Sequence, residues 1–195
     1  MVTLRPYRPA DLDALYSICL RTGDSGQDAS GLHSDGQLVG HIYSAPYGVL
    51  EPENVFVAED DDGVGGYIVG THDTDRFAER QDREWWPELR QRYADAKGMT
   101  DADRHRIAAI MRPDRAPQDL VAAYPAHIHM NLLPRLRGQR IGTRLLELWI
   151  EQARSAGVTG IHLGASKRNQ GGIAFWSKNF TLVRDDDAVW FGKVL

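Results

Sequence analysis

Residues 126–157 constrain the fold more than any other stretch. The run 126–133 alternates, with Ile128, Met130 and Leu132 on one parity and His127, His129 and Asn131 on the other. A period of two marks a strand whose faces meet different surroundings. Pro134 ends it, because proline has no N–H to give a ladder. The turn Arg135-Leu136-Arg137-Gly138-Gln139-Arg140-Ile141-Gly142 follows. Ile141, Leu145, Leu146, Leu148, Trp149 and Ala153 then recur at helical spacing until Gly157. The free amides and dipole of such a helix start suit a phosphate. Arg135, Arg137, Arg140 and Arg144 lie beside it, with no acid among residues 135–144. The turn is neither a Walker A loop nor a Rossmann fingerprint, since both glycine spacings are missing. A solvated basic helix face is the plainer alternative.

Composition narrows the class. The 195 residues suit one domain, and 42% hydrophobic content can fill its core. A net charge of −4 gives no overall basic footprint for nucleic acid or anionic membrane. No apolar run approaches the ~20 residues of a membrane span. Cys19 is the only cysteine, which excludes an internal disulfide. The seven histidines form no His-Glu-x-x-His pattern, so no metal site is expected. Residues 1–6 lack the apolar stretch of a secretory signal, and the expected location is cytoplasmic.

The remaining elements follow from periodicity and turn chemistry. A short strand at 2–4 precedes a helix opened by Pro9, with Leu12, Leu15, Ile18 and Cys19 on its apolar face. Residues 23–40 are rich in Gly, Ser and Asp and read as a long loop. Residues 55–58 and 66–69 flank Asp60-Asp61-Asp62-Gly63, a hairpin signature. Residues 73–115 hold ten acids and ten bases around Trp85, Trp86, Leu89 and Tyr93, and read as solvated helices over a sheet edge. Thr100 and Asp103 have capping-box spacing. A strand at 158–165, a helix at 171–179 and a hairpin of 180–184 with 188–194 complete a mixed α/β order.

Arg137-Gly138-Gln139-Arg140-Ile141-Gly142 resembles the Arg/Gln-x-x-Gly-x-Gly/Ala pyrophosphate loop of the GNAT N-acetyltransferase superfamily. The opening Arg5-Pro6-Tyr7-Arg8-Pro9-Ala10-Asp11-Leu12 is similar to that family's start. Asn169 with Ala174-Phe175-Trp176-Ser177-Lys178-Asn179-Phe180 is similar to the segment after its fifth strand. Thr22-Gly23-Asp24-Ser25-Gly26-Gln27-Asp28, Ser44-Ala45-Pro46-Tyr47, Glu84-Trp85-Trp86-Pro87 and Tyr124-Pro125-Ala126-His127-Ile128-His129 further resemble bacterial homologues of the acetyltransferase-like C-terminal domain of O-GlcNAcase. The resemblance implies a mixed, mostly antiparallel sheet flanked by helices. It also implies one acetyltransferase domain over residues 1–195, with a helical insertion at about 73–124 between the third and fourth strands. That leaves no space for a hydrolase barrel.

The resemblance implies acetyl-CoA as cosubstrate. Leu132 and Leu133 would then offer backbone groups to the pantetheine arm. Arg137, Gly138, Gln139, Arg140, Ile141, Gly142 and Thr143 would line the pyrophosphate, and Asn169, Phe175 and Lys178 would border the distal arm. One departure is Arg140, which stands at the first glycine of the family's loop.

Amine acetylation needs a proton acceptor for the ammonium and polarisation of the thioester. His127 and His129 are the candidate bases, because imidazole titrates near neutral pH. Their His-x-His also resembles that of arylalkylamine N-acetyltransferases, although the spacing to the loop is one residue shorter. The alternative is that both pack under the helical insertion. Asn131 stands where related members of the O-GlcNAcase-like subgroup prefer Asp, and an amide orients but does not take a proton. Trp176 replaces the tyrosine acid of many relatives. Asp24, Asp28, Asp73 and Tyr47 are candidates for the acceptor side, where carboxylates attract a cationic amine. Caps and turns are the alternative role for the acids.

The expected function is an acetyl-CoA-dependent N-acetyltransferase acting on a small amine or a protein lysine by direct attack. A catalytically silent acetyl-CoA-binding module is the alternative. RNA binding by the arginine cluster is a third reading, opposed by the balanced charge elsewhere.

Overall fold

The computed structural model describes residues 1–195. One seven-stranded sheet runs through the chain in the order β1-β2-β3-β4-β5-β7-β6. The strands are β1 (Thr3–Pro6), β2 (Phe56–Asp60), β3 (Gly63–Thr71), β4 (Ala126–Leu132), β5 (Gly160–Ala165), β6 (Thr181–Asp185) and β7 (Val189–Val194). All neighbours are antiparallel except β4 and β5. The β2–β3 hairpin turns at Asp61 and Asp62 and runs further than the sequence periodicity marks, with an irregularity between Ala58 and Glu59.

The parity read in 126–133 separates two cores. Ile128 joins Ile68, Ile161 and Phe191 under α8 (Ile141–Ser155), while Trp176 and Phe180 bring in α9 (Gln170–Asn179). On the opposite face Tyr67 and Val69 pack with Leu15 and Ile18 of α1 (Leu12–Leu20). Trp149 is fully buried and its indole N–H donates to the Asn54 carbonyl at 3.0 Å.

Residues 38–50 correct the sequence reading. They form two six-residue helices, α2 (Leu38–Tyr43) and α3 (Ala45–Leu50), the first of which begins inside the stretch 23–40 read as loop. Gly40, Ser44, Pro46 and Gly48 hide them from a propensity argument. Tertiary contact overrides propensity here. A Cβ on Gly40 would strike the Tyr16 ring, and one on Gly48 would lie 3.0 Å from Leu15 and 3.1 Å from Tyr7.

Four helices lie between β3 and β4: α4 (Thr74–Glu84), α5 (Trp86–Tyr93), α6 (Asp101–Met111) and α7 (Gln118–Ala123). Thr100 and Asp103 form the capping box of α6. The Trp pair anchors these helices. Trp86 is buried with Leu38, Leu89, Tyr93 and Ile110, and Trp85 donates to the His41 carbonyl at 2.9 Å. Cys19 is a buried core residue. No helix is long and apolar enough to cross a membrane.

Candidate active site

The parallel pair defines the site. β4 and β5 pair only at Ala126↔Ile161 and His127↔His162. Beyond them β4 continues to Leu132 with partners on β3 alone. The strands therefore part at His129 and open toward the start of α8. Leu133 donates to the Gly65 carbonyl at 2.8 Å. In an antiparallel ladder amides alternate sides, so those of Met130 and Leu132 face the opening. This corrects the expectation for Leu133, whose N–H serves Gly65 and whose carbonyl accepts from Leu136. Of the two leucines, Leu132 is the one whose amide faces the opening with that of Met130, while its carbonyl accepts from Arg137 at 3.0 Å.

The basic turn is shaped by two left-handed residues, Gly138 at φ 75° and Arg140 at φ 60°. Arg140 is the N-cap of α8, and no side chain caps that end. The first-turn amides, from Ile141, Gly142 and Thr143 onward, are thus left to a ligand or water. Gly142 lies close beneath its neighbours, since a Cβ there would lie 3.2 Å from Met130 and 3.5 Å from Leu132 and Phe175. Gln139 folds back and donates to the Arg135 carbonyl at 2.7 Å. Lys178 lies exposed on α9.

The four-arginine cluster shrinks to three. Arg135 turns away to a bidentate pair with Asp60 at 2.9 and 3.1 Å, which raises its pKa and lowers that of Asp60. Arg140 and Arg144 stay exposed without an acidic partner. Arg137 reaches across the opening and donates to the Gly26 carbonyl at 2.7 Å. Arg168 pairs with Asp24 at 3.1 Å, and the Asn169 side chain lies against Gly26 while capping α9 through the Gly172 amide. Residues 22–28 are therefore strapped beside the basic turn.

The two β4 histidines differ sharply. Thr74 donates its only hydroxyl proton to the Pro125 carbonyl at 2.7 Å. Its oxygen, 2.8 Å from His127 Nδ1, must then accept the Nδ1 proton. Nε2 is left as the acceptor, and the Tyr47 hydroxyl donates to it at 2.6 Å. Both nitrogens of His127 are engaged, and burial with His129 and His162 nearby holds its pKa well below the usual histidine range. His129 makes no protein hydrogen bond and is half-buried, edge-on to Tyr43 and Tyr47 at 5.8 and 5.7 Å. Burial, then His162, lowers its pKa to about 4, so at neutral pH it is an uncharged imidazole with its nitrogens unclaimed.

The other candidates have defined partners. Asn131 accepts from Tyr67 at 3.1 Å and donates to Thr22 at 2.5 Å, which fixes its amide. Asp73 caps α4 through the Arg76 amide, and Asp28 accepts from the Ser30 amide. With Asp24 held by Arg168, all three carboxylates have partners within the chain. Tyr47 is buried with its hydroxyl on His127. Trp176 is buried between Phe175 and Phe180, at centroid distances of 4.9 and 5.5 Å. Sequence reasoning missed Thr74 and Tyr67 around the histidines, and Arg106 behind Tyr43, because nothing local in the sequence links them to β4.

A parting parallel strand pair that leads to an uncapped, basic helix start suits a class of proteins that bind a phosphorylated ligand. Residues 11–180 match the acetyltransferase (GNAT) family, and the chain belongs to that family. Its cosubstrate is therefore acetyl-CoA. The residues at the turn fit that group, since no side chain caps the α8 start and three arginines stand unpaired with acid. The chain is 25% identical over 184 residues to protein O-GlcNAcase of Rattus norvegicus and of Mus musculus. That match covers 90% of this chain but 19% of each relative, so the chain spans about a fifth of their length. Among solved structures, SsHAT is 34% identical with a TM-score of 0.90, covering 99% of this chain and 98% of that one. The PaiA N-acetyltransferase of Thermoplasma acidophilum, solved with coenzyme A, shares the fold at a TM-score of 0.60 and 14% identity, covering 100% and 99%.

Proposed function

We propose that this protein is an N-acetyltransferase that transfers acetyl from acetyl-CoA to an amine by direct attack in a ternary complex. The observation that carries the reading is His129, a neutral imidazole without a protein partner where β4 leaves β5. When bound, acetyl-CoA supplies a thioester that an amine can attack. Ile141, Gly142 and Thr143 would hold its phosphates through the free amides of α8, with Arg137, Arg140 and Arg144 adding charge. Leu132 and Met130 would direct backbone amides at the acyl end, where a donor steadies developing negative charge. His129 would take the ammonium proton directly or through a water, and Asn131, fixed between Tyr67 and Thr22, would orient the amine or that water. His127 is a positioning residue, since its own nitrogens are engaged by Tyr47 and Thr74. Steady-state assay of His129→Ala with an amine panel tests this. An unchanged kcat and pH profile removes the histidine role.

One observation favours a second reading, a silent acetyl-CoA-binding module. Trp176 occupies the position of the usual acid and is buried among Phe175 and Phe180, where an indole N–H has no useful acidity. Tight acetyl-CoA binding without transfer to any amine supports that reading.

A further inference from the structure

Arg106 is set against a tyrosine rather than an acid. It projects from α6 and is only partly exposed. It has no carboxylate within salt-bridge distance, unlike Arg5, Arg135 and Arg168, which each have one. Its partner in the chain is Tyr43. One guanidinium N–H donates to the Tyr43 hydroxyl at 3.1 Å, and the guanidinium carbon lies 5.4 Å from the ring centroid. Tyr43 in turn stands edge-on to His129 at 5.8 Å. The Arg106 charge also reaches the buried Cys19 thiol, which it stabilises in its ionised form against the larger effect of burial. The side chain therefore points inward, toward the wall shared by His129 and Tyr43.

The nearby acids are committed elsewhere. Asp103, one turn before Arg106 on α6, is buried and accepts from His33, from Ser34 and from the Thr100 amide. Asp35 accepts from Tyr93 at 2.7 Å and pairs with Arg92 at 3.5 Å. A guanidinium carries five N–H donors in a planar fork, and here one has a protein acceptor. A partly exposed cation with an open fork, one tyrosine ring away from His129, is matched by a carboxylate, which takes two parallel N–H bonds.

Resting on the acetyltransferase reading, we infer that the acceptor is an amine that also carries a carboxylate, and that Arg106 holds that carboxylate while the amine meets His129. A free amino acid and a lysine flanked by an acidic residue share this chemistry. Asp24 is paired with Arg168, and Asp28 and Asp73 cap backbone amides, whereas Arg106 stands without an acid on the far side of Tyr43 from His129.

The test compares ω-amino acids with alkylamines of equal chain length, and Glu–Lys with Gln–Lys peptides, by the rate of coenzyme A thiol release. The carboxylate member of at least one series is preferred by about 10-fold or more in kcat/KM, as expected for a charge-assisted pair. Which series shows the preference distinguishes a small amino acid from a peptide. Arg106→Met abolishes the preference, and Arg106→Lys retains part of it because charge persists without the fork. Acetyl-CoA affinity by calorimetry reports that each variant is folded. Equal rates in both series, or a preference that survives Arg106→Met, overturn the inference while leaving the acetyltransferase reading intact. If no amine is acetylated, saturation-transfer NMR with coenzyme A present compares 6-aminohexanoate with hexylamine, and the Glu–Lys with the Gln–Lys peptide. Selective binding of a carboxylate member that Arg106→Met abolishes sustains the Arg106 assignment without catalysis, and selectivity that survives Arg106→Met, equal binding, or no binding in both pairs rejects it.

Discussion

The Tyr47 hydroxyl donates to His127 Nε2 across 2.6 Å, joining α3 to β4. The bond direction follows from Thr74, whose single proton goes to Pro125. Tyr47→Phe leaves Nε2 facing the buried side of the sheet without its donor. Loss of that bond costs about 1–3 kcal/mol. At about 2–4 °C per kcal/mol for a chain of this size, the melting temperature falls measurably. Acetyl-CoA affinity stays at the wild-type value, because Tyr47 lies on the opposite face of the sheet from α8. Thermal denaturation with and without acetyl-CoA checks both outcomes.

Acid sensitivity follows from neutral histidines in the fold. Burial lowers the pKa of His41 and His129 to about 4 and shifts His127, His162 and His72 in the same direction. In the unfolded chain each returns to 6.5 and takes up a proton first as pH falls. Stability is therefore full above about 6.5 and declines as pH falls, toward pH 4 for His41 and His129, by up to ~1.4 kcal/mol per pH unit for His129. Asp11, held low by the Arg5 guanidinium, extends the loss at still lower pH. The urea midpoint drops between about pH 7 and pH 5, and a flat profile there contradicts neutral burial.

Arg140 sits in the left-handed region at φ 60°, where a Cβ is strained. Such a conformation costs an arginine about 1–2 kcal/mol, part of which glycine returns through its unfolded-state freedom. Arg140→Gly therefore raises the melting temperature by about 1–3 °C, whereas Arg140→Ala keeps the strain and does not. Differential scanning calorimetry of the two variants separates backbone relief from lost charge.

Arg137 bridges the Leu132 and Gly26 carbonyls and so ties residues 22–28 to the basic turn. Arg137→Ala removes both bonds. Hydrogen exchange at Asp24 and Gln27, which pair with each other in that loop, speeds up, and acetyl-CoA affinity weakens by about 10-fold. Exchange mass spectrometry with a calorimetric titration measures both. Unchanged protection shows that Arg168 and Asn169 hold the loop without it.

The parity of Ile128, Met130 and Leu132 against His127, His129 and Asn131 was legible because a strand between two cores must alternate, and both cores are present. The α8 stripe was legible for a similar reason, since its apolar positions repeat over fifteen residues. The helices at 38–50 were not, because contacts of Gly40 with Tyr16 and of Gly48 with Tyr7 stabilise them where propensity opposes them. The split between His127 and His129 was also hidden. It depends on Thr74 and Tyr47, 53 and 80 residues away in the chain. Arg135 and Arg137 look equivalent in sequence, yet only the position of Asp60 on β2 sends one away from the turn.

The central claim is that His129 serves acetyl transfer from acetyl-CoA. Its most direct measurement is coenzyme A thiol release with a panel of amines, in wild type and His129→Ala. The account predicts release matched one-for-one by acetylated amine. It also predicts a fall in kcat of about 100-fold or more in the variant, in the range of lost general-base catalysis. Acetyl-CoA that binds tightly but gives no acetylated product with any amine would contradict it.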